Sequence, residues 1–183
     1  TQLLDTTGMR ALDLDATTFF NSQQADEICG RAIKLSGDRL LGAKLGLNLE
    51  IVSLGILGYA LMTSATAGDM VKILVRYKRA VLPSVRIELI PGAGTVELHC
   101  SAAHLPEALE QFYKDSLFAG LITNLKLLTD NRGAAASLEL DYGQSEDMHF
   151  YQSIFGSKVR FNSSRCCLIF DAASLAVPIT SSD

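Results

Sequence analysis

Three histidines (His99, His104, His149) and four cysteines (Cys29, Cys100, Cys166, Cys167) are the side chains of this sequence that could bind a metal or act as thiol and imidazole catalysts. Zinc ligands come at short intervals such as C-x-x-C or H-x-x-x-H, and neither spacing occurs, so no metal site is expected. His99 stands beside Cys100, the pair a thiol nucleophile and its base would need. Neighbours on a strand project to opposite faces, however, and cannot share a proton. The same alternation should part Cys166 from Cys167, and the cysteines read as reduced thiols. The run Pro-Gly-Ala-Gly at 91–94 joins two strand-like segments instead of opening a helix, so it offers no helix N-terminus to a phosphate. No G-x-S-x-G elbow, P-loop or G-x-G-x-x-G is present. The expectation is no catalytic residue and no cofactor.

Recognition is the better use of the polar residues that remain. A tyrosine gives a ligand an apolar wall and one hydroxyl, and there are five: Tyr59, Tyr77, Tyr113, Tyr142 and Tyr151. Residue type and position nominate Tyr59, Tyr77, His99 and Tyr142 as ligand contacts, in a pocket between a β-hairpin and the long helix that follows it. Lys72, Arg76 and Arg79 share one helical face. With a net charge of −4, this cluster reads as a solvated face or an interdomain contact, and direct nucleic-acid binding by this chain is not expected.

The elements that must hold these residues follow from spacing. Asn21 with Gln24 resembles a capping pair, and Ile28, Ala32, Ile33 and Leu35 recur at helical intervals until Gly37. A second helix is expected over 38–45, stopping at Gly46, a third, apolar all round and buried, over 53–63, and a fourth over 67–81, opened by the Thr66 to Asp69 capping box. After Pro83 the period becomes two: "SVRIELI" and "TVELHC" read as a hairpin with Val85, Ile87 and Leu89 on one side. Leu109, Phe112, Tyr113, Leu117, Leu121 and Leu125 then mark a long helix over 106–128 with Pro106 in its first turn. "ASLELDY" reads as a strand, Ser145 as the cap of a helix running to Phe155 with Gly156 as its stop, and "KVRF" and "CCLIF" as two more strands. Four helices followed by β-β-α-β-α-β-β indicate an α+β domain, a helical half packed on a mostly antiparallel sheet.

At 183 residues, with 48% hydrophobic and 20% charged, the chain suits one domain, expected over 23–180 behind a leading segment at 1–22. The uncharged run at 51–68 is diluted by glycine, serine and threonine and interrupted by the capping box, so it predicts core helices and not a membrane span. No basic stretch followed by an apolar one opens the chain, so no secretory leader is expected.

Two stretches carry a resemblance. "DRLLGAKLGLNLEIVSLGILGYALMTSATAGDMVKILVRYKRAVLPSVRIEL" (38–89) and "FYQSIFGSKVRFNSSRCCLIFDAASLAVPI" (150–179) resemble the amino-terminal, arabinose-binding-type domain of a subgroup of bacterial AraC/XylS transcription regulators. The matching residues are Leu45-Gly46-Leu47, the run from Leu54 to Leu61, Ser64, Gly68 and Arg76-Tyr77, then Tyr151, Phe155-Gly156, Val159, Phe161, Phe170, Leu175 and Pro178. Lys158 departs from the proline common there, and the polar strand signals of a cupin barrel are missing, so neither sugar binding nor that barrel is implied. What the resemblance does imply is a non-enzymatic module that senses a small-molecule effector and dimerises in the bacterial cytoplasm. DNA would be reached only through a carboxy-terminal helix-turn-helix part that is absent from this chain. In that picture the uncharged run is a scaffolding helical hairpin in which Gly55 and Gly58 let backbones approach. A self-contained small-molecule sensor or enzyme is the rival expectation, its haem-dependent form needing His104 as axial ligand. A pure oligomerisation module is the third.

Overall fold

Asn21 opens the first helix through the reciprocal pairing that its distance from Gln24 predicts. Its Oδ1 accepts the Gln24 N–H at 2.9 Å, and its own N–H donates to Gln24 Oε1 at 3.1 Å. The helix, α1 (Ser22–Ser36), stops where Gly37 turns left-handed at φ 62° and returns its N–H to the Ile33 carbonyl. No residue of α1 is fully buried, so this helix lies over the core and not within it. The computed structural model describes residues 3–4, 20–133, 135–143, 148–156 and 158–180. Most of the leading segment, 1–22, and the expected cap at Ser145 lie outside the described residues.

The second helix, α2 (Leu41–Leu47), corrects one expectation: Gly46 does not stop it but lies inside it, and Asn48 ends it. Gly46 is there for space. A Cβ at this position would stand 2.8 Å from the Gly120 nitrogen and 3.0 Å from the Ala119 Cβ, so only glycine lets α2 lie against the long helix this closely.

The uncharged run departs further from expectation. It forms a 3-10 turn (Ile51–Leu54) and then α3 (Ile56–Met62), with Gly55 between them at φ 60°, ψ −131°, a conformation only glycine adopts without strain. Of the two glycines expected to admit a neighbouring backbone, Gly58 does so against the Ile51 carbonyl, whereas open space surrounds Gly55. The segment is also not buried all round. Leu57, Gly58 and Leu61 face the core, while Ile56 is 90% exposed and Tyr59 66%. Thr66 then caps α4 (Ala67–Tyr77) by accepting the Asp69 N–H at 3.1 Å.

From here the period of two builds a sheet. β1 (Arg86–Pro91) and β2 (Thr95–Ser101) form the expected antiparallel hairpin, followed by β3 (Ser137–Glu139), β4 (Val159–Arg160) and β5 (Cys167–Asp171). The order is β1-β2-β5-β3-β4, antiparallel throughout except for the β3–β4 pair, and the sheet is open, not a barrel. Ile87, Leu98, Cys100, Leu138, Leu168 and Phe170 point inward and are almost wholly buried. The other face carries Glu88, Glu97, His99 and Glu139.

The long helix α5 (Glu107–Leu128) fills the middle of the molecule, with α6 (Met148–Phe155) beside it. Its apolar positions go nearly all the way round because it is packed on two sides. Phe118, Ile122 and Leu125 join the same continuous core as the sheet's inner face. A short helix not foreseen from the sequence, α7 (Ala172–Leu175), docks on α4, where the Ala67 N–H donates to the Val177 carbonyl at 2.9 Å and Thr66 bridges Pro178. The two stretches that carry the resemblance therefore meet in space.

Candidate functional site

The space between the hairpin and α5, where a pocket was expected, is filled by buried core side chains. A cavity of about 280 Å³ lies on the opposite side of α5, at the small end of the ~300–1,000 Å³ typical of small-molecule sites. One stripe of α5 forms its floor: Phe112, Tyr113, Ser116, Leu117, Gly120, Leu121 and Asn124 recur at the three- and four-residue steps of a single helical face. Asp26 and Cys29 of α1 form a side wall, Leu45 of α2 and Ile51 and Leu54 of the 3-10 turn another, and Met70 and Leu74 of α4 lie across from them.

Polar groups are few and placed at particular points. The Tyr113 hydroxyl donates to Asp26 Oδ1 at 2.6 Å, and the Ser84 hydroxyl donates to Asp26 Oδ2 at 2.8 Å. Burial, and then this hydrogen bond to the carboxylate, push the Tyr113 hydroxyl well above the ordinary phenol range, so it stays a neutral donor. Burial likewise pushes the Cys29 thiol up, which keeps it a protonated, weakly reactive group. The Asn124 amide nitrogen donates to the Leu49 carbonyl at 3.1 Å and the Gly120 carbonyl at 2.8 Å, tying the loop after α2 to α5.

A second polar centre lies on the sheet side of α5. Asp115, 1% exposed, accepts hydrogen bonds from the Tyr142 hydroxyl and, at 2.8 Å, from the Tyr151 hydroxyl. Burial lifts its carboxyl to about 6 against the opposing pull of these donors, and raises both phenols. The adjacent Lys114 ammonium reaches Asp141 at 2.8 Å and Glu110 at 2.8 Å. These contacts fasten α5 to the segment after β3 and to α6, and they satisfy the polar groups that α5 buries here.

A third cluster forms on the outer face of the sheet. Register puts His99 opposite Cys167 and Cys167 opposite Glu139, so Glu97, His99 and Cys167 bring three possible metal-ligating atoms within 4.8 Å of one another. Chain spacing could not show this grouping, because it is made across strands. Glu97 is already engaged: His99 Nε2 lies 2.7 Å from its Oε2, and the Arg165 guanidinium lies 2.7 Å from the same oxygen while also pairing with Glu139 at 2.7 Å. The His99 contact and then Arg165 hold the Glu97 carboxyl below its usual range, and Arg165 first of all does so for Glu139. A cation here would have to displace that guanidinium, so the cluster acts as an ion-pair network.

The structure does not bring the four nominated contacts together. Tyr59 and Tyr77 (51% exposed) lie on the surface, His99 lies on the outer sheet face, and Tyr142 belongs to the Asp115 centre. None of the four lines the cavity. Tyr113, set aside from the nomination, does. His104, the axial ligand that the haem reading needs, is exposed between β2 and α5. Lys72, Arg76 and Arg79 are exposed as expected, with Lys72 on Asp69 at 3.1 Å and Arg76 over the Tyr77 ring. No helix among the described residues is long and apolar enough to cross a membrane.

Known proteins place this architecture. The chain is 26% identical over 160 residues to the ornithine utilization regulator of Pseudomonas aeruginosa, a match covering 87% of this chain and 44% of that protein. It thus spans less than half the length of that relative. Its fold is similar to the crystal structure of the transcriptional regulator CdpR from Pseudomonas aeruginosa, with a TM-score of 0.68 and 17% identity over 99% of this chain and 56% of the other. Both are regulators by name. Residues 1–179 match the family described as the arabinose-binding domain of AraC transcription regulators, N-terminal, and the chain belongs to that family.

Proposed function

We propose that this domain senses a small-molecule effector in the cavity between α1, α2, α4 and α5. In our reading it is the sensory part of a cytoplasmic bacterial regulator that dimerises and reaches DNA through a helix-turn-helix part outside these 183 residues. The observation that carries the proposal is the cavity itself. A largely apolar space of about 280 Å³ with a few convergent polar groups is the usual form of a small-molecule site. Its walls are drawn from four separate helices, so occupancy can alter how those helices sit, and an effector acts only through such a difference in affinity between two arrangements. Dimerisation would set two DNA-reading units on neighbouring half-sites.

A melting screen over small amines, amino acids, fatty acids and aromatics tests the proposal. A true effector at one hundred times its dissociation constant adds about 2.7 kcal/mol, a rise in Tm of roughly 5–11 °C for a domain of this size. Ala25→Phe, on the cavity wall but on a helix with no fully buried residue, is expected to abolish that rise. Alanine at Tyr59, Tyr77, His99 or Tyr142, all outside the wall, is expected to leave it in place. A hit indifferent to Ala25→Phe and lost on substitution at those four would move the site to them.

A further inference from the structure

Among the described residues, Asp26 is the only charged one on the cavity wall, and this narrows the class of effector. The following inference rests on the reading of the cavity as the effector site. Both carboxylate oxygens accept hydrogen bonds from neutral hydroxyls, Tyr113 and Ser84, and no Lys, Arg or His among the described residues pairs with Asp26. A carboxylate offers about four acceptor positions, so each oxygen keeps one for a ligand donor. Two neutral donors orient the group without cancelling its charge.

Position adds to charge. Asp26, Pro83 and Ser84 line both the cavity and an open groove between α1 and the turn before α5, so the carboxylate marks the mouth while Leu61, Met70 and Leu74 lie on the cavity side alone. A cationic head held at the mouth stays partly hydrated and avoids the full cost of burying a charge, while an apolar body removes the interior wall from water. A ligand carboxylate in the same cavity would face Asp26 with no cation among the described wall residues to offset the repulsion. The size limit is severe as well: about 280 Å³ equals roughly nine waters at ~30 Å³ each.

We propose that the effector is a small amphiphile with a single cationic, amine-type head, the head bound by Asp26 at the cavity mouth and the apolar body enclosed by α4 and α5. Hexylamine, hexan-1-ol and hexanoate, matched in length and differing in head charge, are suitable probes, read by thermal shift and titration calorimetry. Hexylamine is expected to bind the wild-type chain at least about tenfold more tightly than hexan-1-ol, a difference equal to one modest charge pair, with hexanoate weakest. Asp26→Asn keeps the shape and an acceptor for Tyr113. It is expected to bring the amine and the alcohol to similar affinity, and Asp26→Ser serves if the amide variant fails to fold. Hexanoate binding as well as or better than the amine would overturn the proposal, because Arg31 and Lys34 of the outer groove would then be setting the preference. An amine preference that survives both substitutions would also overturn it. If hexan-1-ol and the other two probes all fail to bind, and Ala25→Phe changes no ligand response, the cavity reading falls with it. Alcohol binding without amine preference removes only the inference about charge.

Discussion

Glycine-to-alanine exchange should act in opposite directions on two helices of this domain, which tests whether α2 is seated by close backbone approach. At Gly46, an added Cβ would lie 2.8 Å from the Gly120 nitrogen and 3.0 Å from the Ala119 Cβ, and closer still to the Ser116 carbonyl oxygen. Ordinary contact begins at 3.4 Å, so α2 must retreat from α5 by 0.6 Å or more. No rotamer can relieve this, since every obstacle is backbone or a Cβ. Nor can α2 pivot freely, because Gly42, one turn earlier, is seated so close to the Phe112 backbone that a Cβ would not fit there either. Overpacking of this kind costs about 1–3 kcal/mol, against about 1 kcal/mol gained from the better helix propensity of alanine. With the retreat hindered along the helix, the net loss should fall in the upper half of the difference, about 1–2 kcal/mol, or roughly 2–8 °C in Tm. Gly30, inside α1 with nothing within 4 Å of its Cβ position, is the control. There alanine should add about 0.5–1 kcal/mol. Chemical denaturation of both variants beside the wild type supplies the two signs. A Gly46→Ala protein as stable as the wild type would refute the argument that this close approach seats α2.

Asp115→Asn should change how stability depends on pH. Burial lifts the native carboxyl from 3.8 to about 6, so between those values the native state holds a proton that the unfolded chain has lost. The contribution is therefore present below the unfolded value and lost as pH rises through the native one, about 3 kcal/mol in all. Denaturation at a series of pH values should show the variant gaining on the wild type by up to that amount between about pH 4 and pH 7; a constant difference would count against the burial argument. Gly55→Ala has open space around it, so its expected loss of about 1–3 kcal/mol comes from the backbone at φ 60° alone, and a neutral result by thermal melting would mean that the turn relaxes freely. Thr66→Ala removes the cap of α4 and should cost about 1 kcal/mol, with exchange protection lost first at the Asp69 amide.

Local chemistry was legible in the sequence and long-range geometry was not. Asn21 with Gln24, Thr66 with Asp69, the hairpin's alternation and the α5 stripe all announce themselves within a few residues, and the structure has each of them. Gly46 was misread because a glycine that ends a helix and one that admits a neighbouring helix look identical along the chain, and α5 lies some seventy residues further on. The helix in the uncharged run was expected to be buried on every side for want of charged residues, yet Ile56 and Tyr59 face outward, since hydrophobic residues are not obliged to be inside. The cavity was the least legible feature. Its walls come from residues 25 to 124, and its charged residue, Asp26, looks like any surface aspartate of an amphipathic helix until Tyr113 and Ser84 close on it.

The walls of the proposed effector site are unequally held. α2 is seated on α5 through glycine contacts with no slack, and α5 is fastened on its far side by Lys114 and Asp115 to the segment after β3 and to α6. α1, by contrast, has no fully buried residue and meets the cavity through Ala25, Asp26 and Cys29, with the Asp26 hydrogen bonds running to α5 on one side and to the loop at Ser84 on the other. Work done by an incoming ligand goes into whichever wall yields at least cost. The prediction is that this wall is α1, so an effector that favours one setting of α1 over another by about 1.4 kcal/mol would shift the balance between them tenfold. Amide exchange along 22–36, compared with and without hexylamine, should therefore change more than exchange along α2, and an equal change in both helices would mean that the cavity moves as one body.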